Sequence, residues 1–142
     1  MIEKDYKVIV AIYLRGDSLD PELISKTIGI IPTKSQFKGQ KNITSTNREF
    51  YSKIGMWALI ADSISYNVAD HIKWLVLQIG KCGNMLRRLS GVDDAYVDIF
   101  IAGRADEDGE GTCNFELDTE MLAALAKLEL PVRFTVGVTN ED

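Results

Sequence analysis

From Tyr6 to Leu14 the chain runs almost without a polar interruption, and its β-branched and aromatic residues predict a central strand with both faces partly covered. Arg15-Gly16-Asp17-Ser18 then turns. Asp20 stands where a helix N-cap is needed, with Pro21 at the first helical position and Glu22 near the positive end of the helix dipole. Leu23, Ile24 and Thr27-Ile28 supply an apolar stripe, and Gly29 ends this short helix. Between Pro32 and Tyr51 the period is lost, the composition turns polar and basic, and Gly39 marks a turn. Met56 to Ala61, centred on Trp57, restores a strand.

Ser65 or Asn67 caps the main helix, whose apolar positions Val68, Ile72, Leu75, Val76 and Ile79 recur at helical spacing. Trp57 is expected to pack on this helix through Ile72, Leu75 and Ile79. Gly80 and Gly83 weaken its continuation, while Cys82, Met85, Leu86 and Leu89 keep the stripe going. One long bent helix or two short ones both fit. Ala95 to Ala102 alternates cleanly, with Tyr96, Asp98 and Phe100 set against Val97, Ile99 and Ile101. An acidic, glycine-bearing loop follows, then a short strand around Cys113 to Leu117. Asp118 caps a helix through Leu128, Pro131 marks its exit, and Val132 to Val138 forms a last strand.

This order predicts one α+β domain over residues 1–142: a mostly antiparallel sheet of about five to six strands, with a long central helix and two shorter helices on one face. An internal echo adds detail. Leu19-Asp20-Pro21-Glu22-Leu23-Ile24 matches Leu117-Asp118-Thr119-Glu120-Met121-Leu122, and each is followed by an apolar exit and a proline. Two related strand-and-helix halves around the central helix, a pseudo-repeat, would produce the match, and so would a common capping solution reached twice.

Gly16-Asp17-Ser18-Leu19-Asp20-Pro21, followed by Gly29-Ile30-Ile31-Pro32-Thr33, resembles the opening of a bacterial domain-of-unknown-function family, number 4279 of that series. Trp57 in its strand, His71-Ile72 in the central helix and Leu117 to Leu128 near the end fit the same pattern. The resemblance covers nearly the whole chain and implies a fold. It brings no established activity and no catalytic residues. The acidic loop is longer here than the family pattern leads one to expect.

Charge and composition narrow the function classes. The chain has 142 residues, 46% of them apolar, and a formal charge of −5. A domain of this size buries roughly two thirds of its unfolded surface and needs no metal or disulfide staple. Cys82 and Cys113 are too far apart for a metal knuckle or redox pair, so both are expected as buried thiols. No signal-like apolar core opens the chain, and no apolar run approaches the roughly twenty residues a bilayer requires. A cytoplasmic location without membrane attachment is expected.

No constellation of catalytic type emerges. His71 is the only histidine, and its neighbour Asp70 cannot face it from the next position of a helix. Asp106, Asp108 and Glu110 alternate like calcium ligands, but the twelfth position from Asp106 is Leu117, where such a loop needs glutamate. No metal or other cofactor is expected. Residues 33–53 carry five cations against Glu49, a net +4, which leaves the rest of the chain at −9. Interleaved with Phe37, Phe50 and Tyr51, this stretch could hold phosphate or single-stranded RNA, or it is a solvated hairpin rising from the sheet. The acidic remainder argues against a polyanion and for another protein as partner.

The leading expectation is a non-catalytic protein-binding module, an immunity protein neutralising a basic bacterial toxin of nuclease type. Its acidic group would be Asp93, Asp94, Asp106, Glu107, Asp108 and Glu110. The alternative is a small-ligand-binding sensor, with a pocket near Asp17, Arg48, Trp57 and His71.

Overall fold

A computed structural model describes residues 6–61, 67–104 and 115–139. Strand β1 (Tyr6–Gly16) leads into helix α1 (Pro21–Ile28). The short strands β2 (Lys34–Gln36), β3 (Lys41–Ile43) and β4 (Glu49–Tyr51) follow, then β5 (Gly55–Ala61). Helix α2 (Val68–Ile79) and a 3-10 segment (Gly80–Arg88) precede β6 (Asp94–Arg104), α3 (Thr119–Ala126) and β7 (Val132–Thr139). The main sheet has five strands in the order β2-β5-β1-β6-β7, and β3 pairs with β4 in a separate hairpin.

β1 runs antiparallel to β5 on one side and to β6 on the other. β5 and β6 therefore point the same way with β1 between them, and β1 and β2 point the same way with β5 between them. β7 lies parallel to β6. The sheet is thus mixed, which corrects the mostly antiparallel expectation. The physical reason is α3: it carries the chain back along the sheet, so β7 enters in the direction of β6.

Three helical connections join parallel strands in this sheet. From β1 to β2 the chain steps toward one edge; from β5 to β6 and from β6 to β7 it steps toward the other edge on strands of opposite direction. The two reversals cancel. Crossovers of the one common, right-handed sense therefore put all three helices on the same face.

The core agrees with that reasoning. Val8, Val10, Ile12 and Leu14 of β1 meet Trp57 and Leu59 of β5, and Val97, Ile99 and Ile101 of β6. Ile24 of α1, Ile72, Leu75 and Ile79 of α2, and Met121 and Leu125 of α3 complete one buried cluster. The alternate strand residues, Tyr13, Met56, Tyr96 and Phe100 among them, stand outside it. Trp57 is fully buried, as its pattern predicts, and its Nε1 donates to Ser25 Oγ at 3.0 Å, tying α1 to the sheet.

Helix ends follow their local chemistry. Asp20 accepts from the backbone N–H of Glu22 and Leu23, Gly29 closes α1 at φ 72, and Asn67 accepts from Ala69. Asp118 accepts from Met121 at 2.9 Å. α2 is twelve residues long and stops at Gly80, whose φ is 52; the apolar stripe continues in the 3-10 segment, where Leu86 is fully buried. Cys82 is half-buried and donates to the Ile79 carbonyl. Residues 115–117 lie in no strand, and Ser65 and Cys113 fall outside the described residues.

At one end of β1, backbones meet with no room between them. A Cβ on Gly16 would collide with the Gly91 carbonyl oxygen, and one on Gly91, at φ 83, would lie 2.8 Å from the Ser18 carbonyl oxygen. The Asp93 N–H donates to the Arg15 carbonyl at 2.8 Å across the same corner. The loop into β6 is thereby locked to the end of β1.

Trp57→Ala is expected to cost about 3–5 kcal/mol in chemical denaturation, because it removes the largest fully buried side chain and its bond to Ser25. Asp20→Ala and Asp118→Ala should each cost about 0.5–2 kcal/mol. These two effects should add within about 0.5 kcal/mol in the double variant, since they act on separate helices. Denaturation midpoints that barely move for either aspartate would remove the capping assignment.

Candidate functional site

The side chains expected to line a pocket occupy different environments. Trp57 and His71 are fully buried on the helix side of the sheet. Arg48 is exposed at the turn of the β3–β4 hairpin, where its backbone N–H donates to Thr44 Oγ1. Asp17 follows β1, pairs with Lys38 at 3.6 Å, and donates its backbone N–H to Asp93 Oδ2 at 3.3 Å. Of the acidic group, Asp93 and Asp94 lead into β6. Asp106, Glu107, Asp108 and Glu110 lie outside the described residues.

The structure brings together a different set, on the face of the sheet that carries no helix. Strand alternation puts Ile9, Ala11, Tyr13 and Arg15 of β1 there. Cross-strand pairing aligns them with Phe100, Asp98, Tyr96 and Asp94 of β6. On the other flank, β5 places Met56, Ala58 and Ile60 on this face, and β2 adds Lys34 beside Ala58 and Gln36 beside Met56. β7 contributes Arg133 and Thr135.

Several of these side chains are fixed. The Tyr13 and Tyr96 rings stack with centroids 5.5 Å apart and planes 29° from parallel. The Arg133 guanidinium lies 3.8 Å above the centre of the Tyr96 ring and donates to both oxygens of Asp94, at 2.9 and 3.1 Å. Both bonds come from one nitrogen, Nη2, while the flat guanidinium lies over the Tyr96 ring. Thr135 Oγ1 donates to Asp98 Oδ1 at 2.8 Å.

Arg15 is the exception. Its cross-strand neighbour Asp94 is engaged by Arg133, and among the described residues its guanidinium makes no hydrogen bond or ion pair. Its Nε is shut off from solvent and has no acceptor. Tyr13, two residues before it on the same face, has its pKa raised, first by burial and then by Asp98 and Tyr96, against an opposing pull from Arg15. The phenol therefore stays protonated at neutral pH and remains a hydrogen-bond donor. No group of three or more His, Cys, Asp or Glu residues arranged to hold a metal occurs among the described residues.

This face therefore combines stacked aromatics, guanidinium groups and carboxylates on neighbouring strands. A family model described as a domain of unknown function, DUF4279, matches residues 4–139. The chain belongs to that family. No curated protein and no solved structure matches it. For this DUF4279 member the site must therefore be read from its own residues.

The sequence carried part of the signal. Tyr96, Asp98 and Phe100 stand out in the alternation of β6, and Arg133 and Thr135 repeat it in β7. In β1 the same alternation is hidden, because Ile9 and Ala11 are as apolar as the core residues between them. A groove of about 610 Å³ lies beside α1, lined by Leu23, Ser25, Lys26, Ile30, Ile31 and Pro32 among others.

The raised pKa of Tyr13 fixes a pH dependence. The folded state holds this proton more tightly than the unfolded chain, so its contribution is intact below about pH 10, the ordinary tyrosine range, and is lost as pH rises through the folded pKa. Urea denaturation between pH 8 and 11 should show stability falling at the alkaline end. In Tyr13→Phe that fall should be shallower. Identical alkaline profiles for the two proteins would contradict the assignment.

Proposed function

We propose that this protein is a non-catalytic protein-binding module and that its working surface includes the helix-free face of the sheet. The observation that carries the reading is the state of that face: stacked tyrosines and an anchored Arg133 beside an Arg15 guanidinium that no described residue satisfies. Buried polar groups normally have a hydrogen-bond partner, in protein or ordered water. A donor left over on a surface of fixed aromatics fits a partner that supplies the acceptor.

The specific role we propose is immunity: neutralising a basic bacterial toxin domain in the cytoplasm. Charge supports this part. Outside residues 33–53 the chain carries −9, and a toxin that grips nucleic acid must itself be basic. That no described helix is long and apolar enough to cross a membrane is compatible with such a role. The two capped helices, α1 and α3, each follow a long strand, and we carry the two-halved origin of the fold as part of the same proposal. A small-ligand sensor is the second reading, and the groove beside α1 is the feature that favours it.

Co-expression with the toxin domain encoded beside it should restore growth, and the purified pair should associate more slowly as salt is raised. Changing Asp106, Glu107, Asp108 and Glu110 together to their amides should slow association and flatten its salt dependence, with little change in melting temperature. A chain that neither binds nor rescues would end the immunity reading.

A further inference from the structure

We propose that Arg15, Tyr13 and Lys34 form a recognition site for a single carboxylate presented by a partner polypeptide. The site rests on the protein-binding reading for the source of its ligand, and on this face alone for its chemistry.

The three groups surround one point of the sheet. Tyr13 pairs across the strands with Ala58, Lys34 pairs with Ala58 from the other side, and Arg15 lies diagonally beyond, opposite Met56. Strand geometry sets Tyr13 and Arg15 about 7 Å apart along β1, and Tyr13 and Lys34 about 10 Å apart across β5, at the backbone. Long side chains converge easily over such spans. Ala58, the smallest residue between them, is fully buried, so the neighbouring side chains already close over it.

All three are donors without acceptors. Among the described residues neither Arg15 nor Lys34 forms an ion pair, whereas Arg133 on the same face does. The Tyr13 hydroxyl makes no hydrogen bond there and keeps its proton at neutral pH. The carboxylate that stands opposite Arg15 in the register, Asp94, is occupied on both oxygens. Cross-strand placement would have let Asp94 pair with Arg15, yet Arg133 reaches it over the Tyr96 ring. That choice leaves Arg15, like Lys34, without an acidic partner among the described residues of this face.

The surroundings select a monoanion. Asp94 and Asp98 share the face, and the chain as a whole carries −5, so a dianionic phosphate meets more repulsion than a carboxylate does. With Nε shut off from solvent, the two terminal nitrogens of the guanidinium are the donors that match the two oxygens of a carboxylate. The stacked tyrosines and Met56 beside it offer apolar contact to the chain that bears the acid.

The experiment uses the intact protein, with arginine Nε–H signals followed by nitrogen-edited NMR. Sodium acetate, a short peptide with one glutamate, the same peptide with glutamine, and inorganic phosphate serve as probes at matched ionic strength. Acetate and the glutamate peptide should shift the Arg15 signal saturably, the peptide binding more tightly. The glutamine peptide should leave it in place, and phosphate should act more weakly than acetate. Arg15→Lys, which keeps the charge, should lower peptide affinity at least tenfold, and Tyr13→Phe and Lys34→Gln several-fold each, all with unchanged circular dichroism. Absence of a saturable shift, stronger binding of phosphate, or undiminished affinity in Arg15→Lys would overturn the site. Growth rescue is scored separately: its failure with intact glutamate-peptide binding removes the immunity role and supports the site.

Discussion

β1 runs antiparallel to both of its neighbours, and that arrangement decides where everything else can go. Because β5 and β6 share a direction, and β1 and β2 share the opposite one, every helix must span a crossover between parallel strands. One hand of crossover then delivers α1, α2 and α3 to a single side. The apolar residues of the strands on that side become the core, with Trp57 at its centre. The other side is left to the strands themselves, and its polar groups must find partners within the sheet or do without.

That division explains how the residues of the helix-free face behave. Arg133, Asp94, Asp98 and Thr135 settle into mutual contacts across β6 and β7, with Tyr96 as the surface on which the guanidinium rests. Tyr13 stacks on Tyr96 from the centre of the sheet. The β1–β5–β2 flank has no comparable set of carboxylates, so Arg15 and Lys34 form no ion pair among the described residues. The imbalance is positional: the acids stand on β6, and β7 supplies the cation that takes the nearest one.

Much of the fold was legible in the residues. Caps at Asp20 and Asp118, the stop at Gly29, the alternation of β6 and the burial of Trp57 all follow from local chemistry acting on short windows of sequence. The direction of β7 did not, because strand direction depends on where α3 returns the chain, and no local pattern records it. The β3–β4 hairpin was legible only as a solvated hairpin somewhere in residues 33–53: its strands are three residues each and mostly exposed, so no buried face imposes a period that would bound them. The site was harder still. Arg15 reads as a turn residue beside Gly16, and its open state appears only once Asp94 is known to be held from β7. Trp57 and His71, which look like site residues by type, are fully buried on the opposite side of the sheet.

The two outer strands of the sheet are unequal. β2 is three residues long, whereas β7 has eight and leaves Phe134 and Val136 more than half exposed. A bare strand edge invites backbone hydrogen bonding from another chain, and a very short one offers too few donors and acceptors to hold it. Among the described strands of the main sheet β7 is the one long outer strand, so strand addition between copies of this sheet would set β7 against β7, a self-complementary contact that uses up both edges at once. Growth of that kind halts at a pair: the inequality of the edges acts as a built-in terminator against fibrils assembled sheet upon sheet.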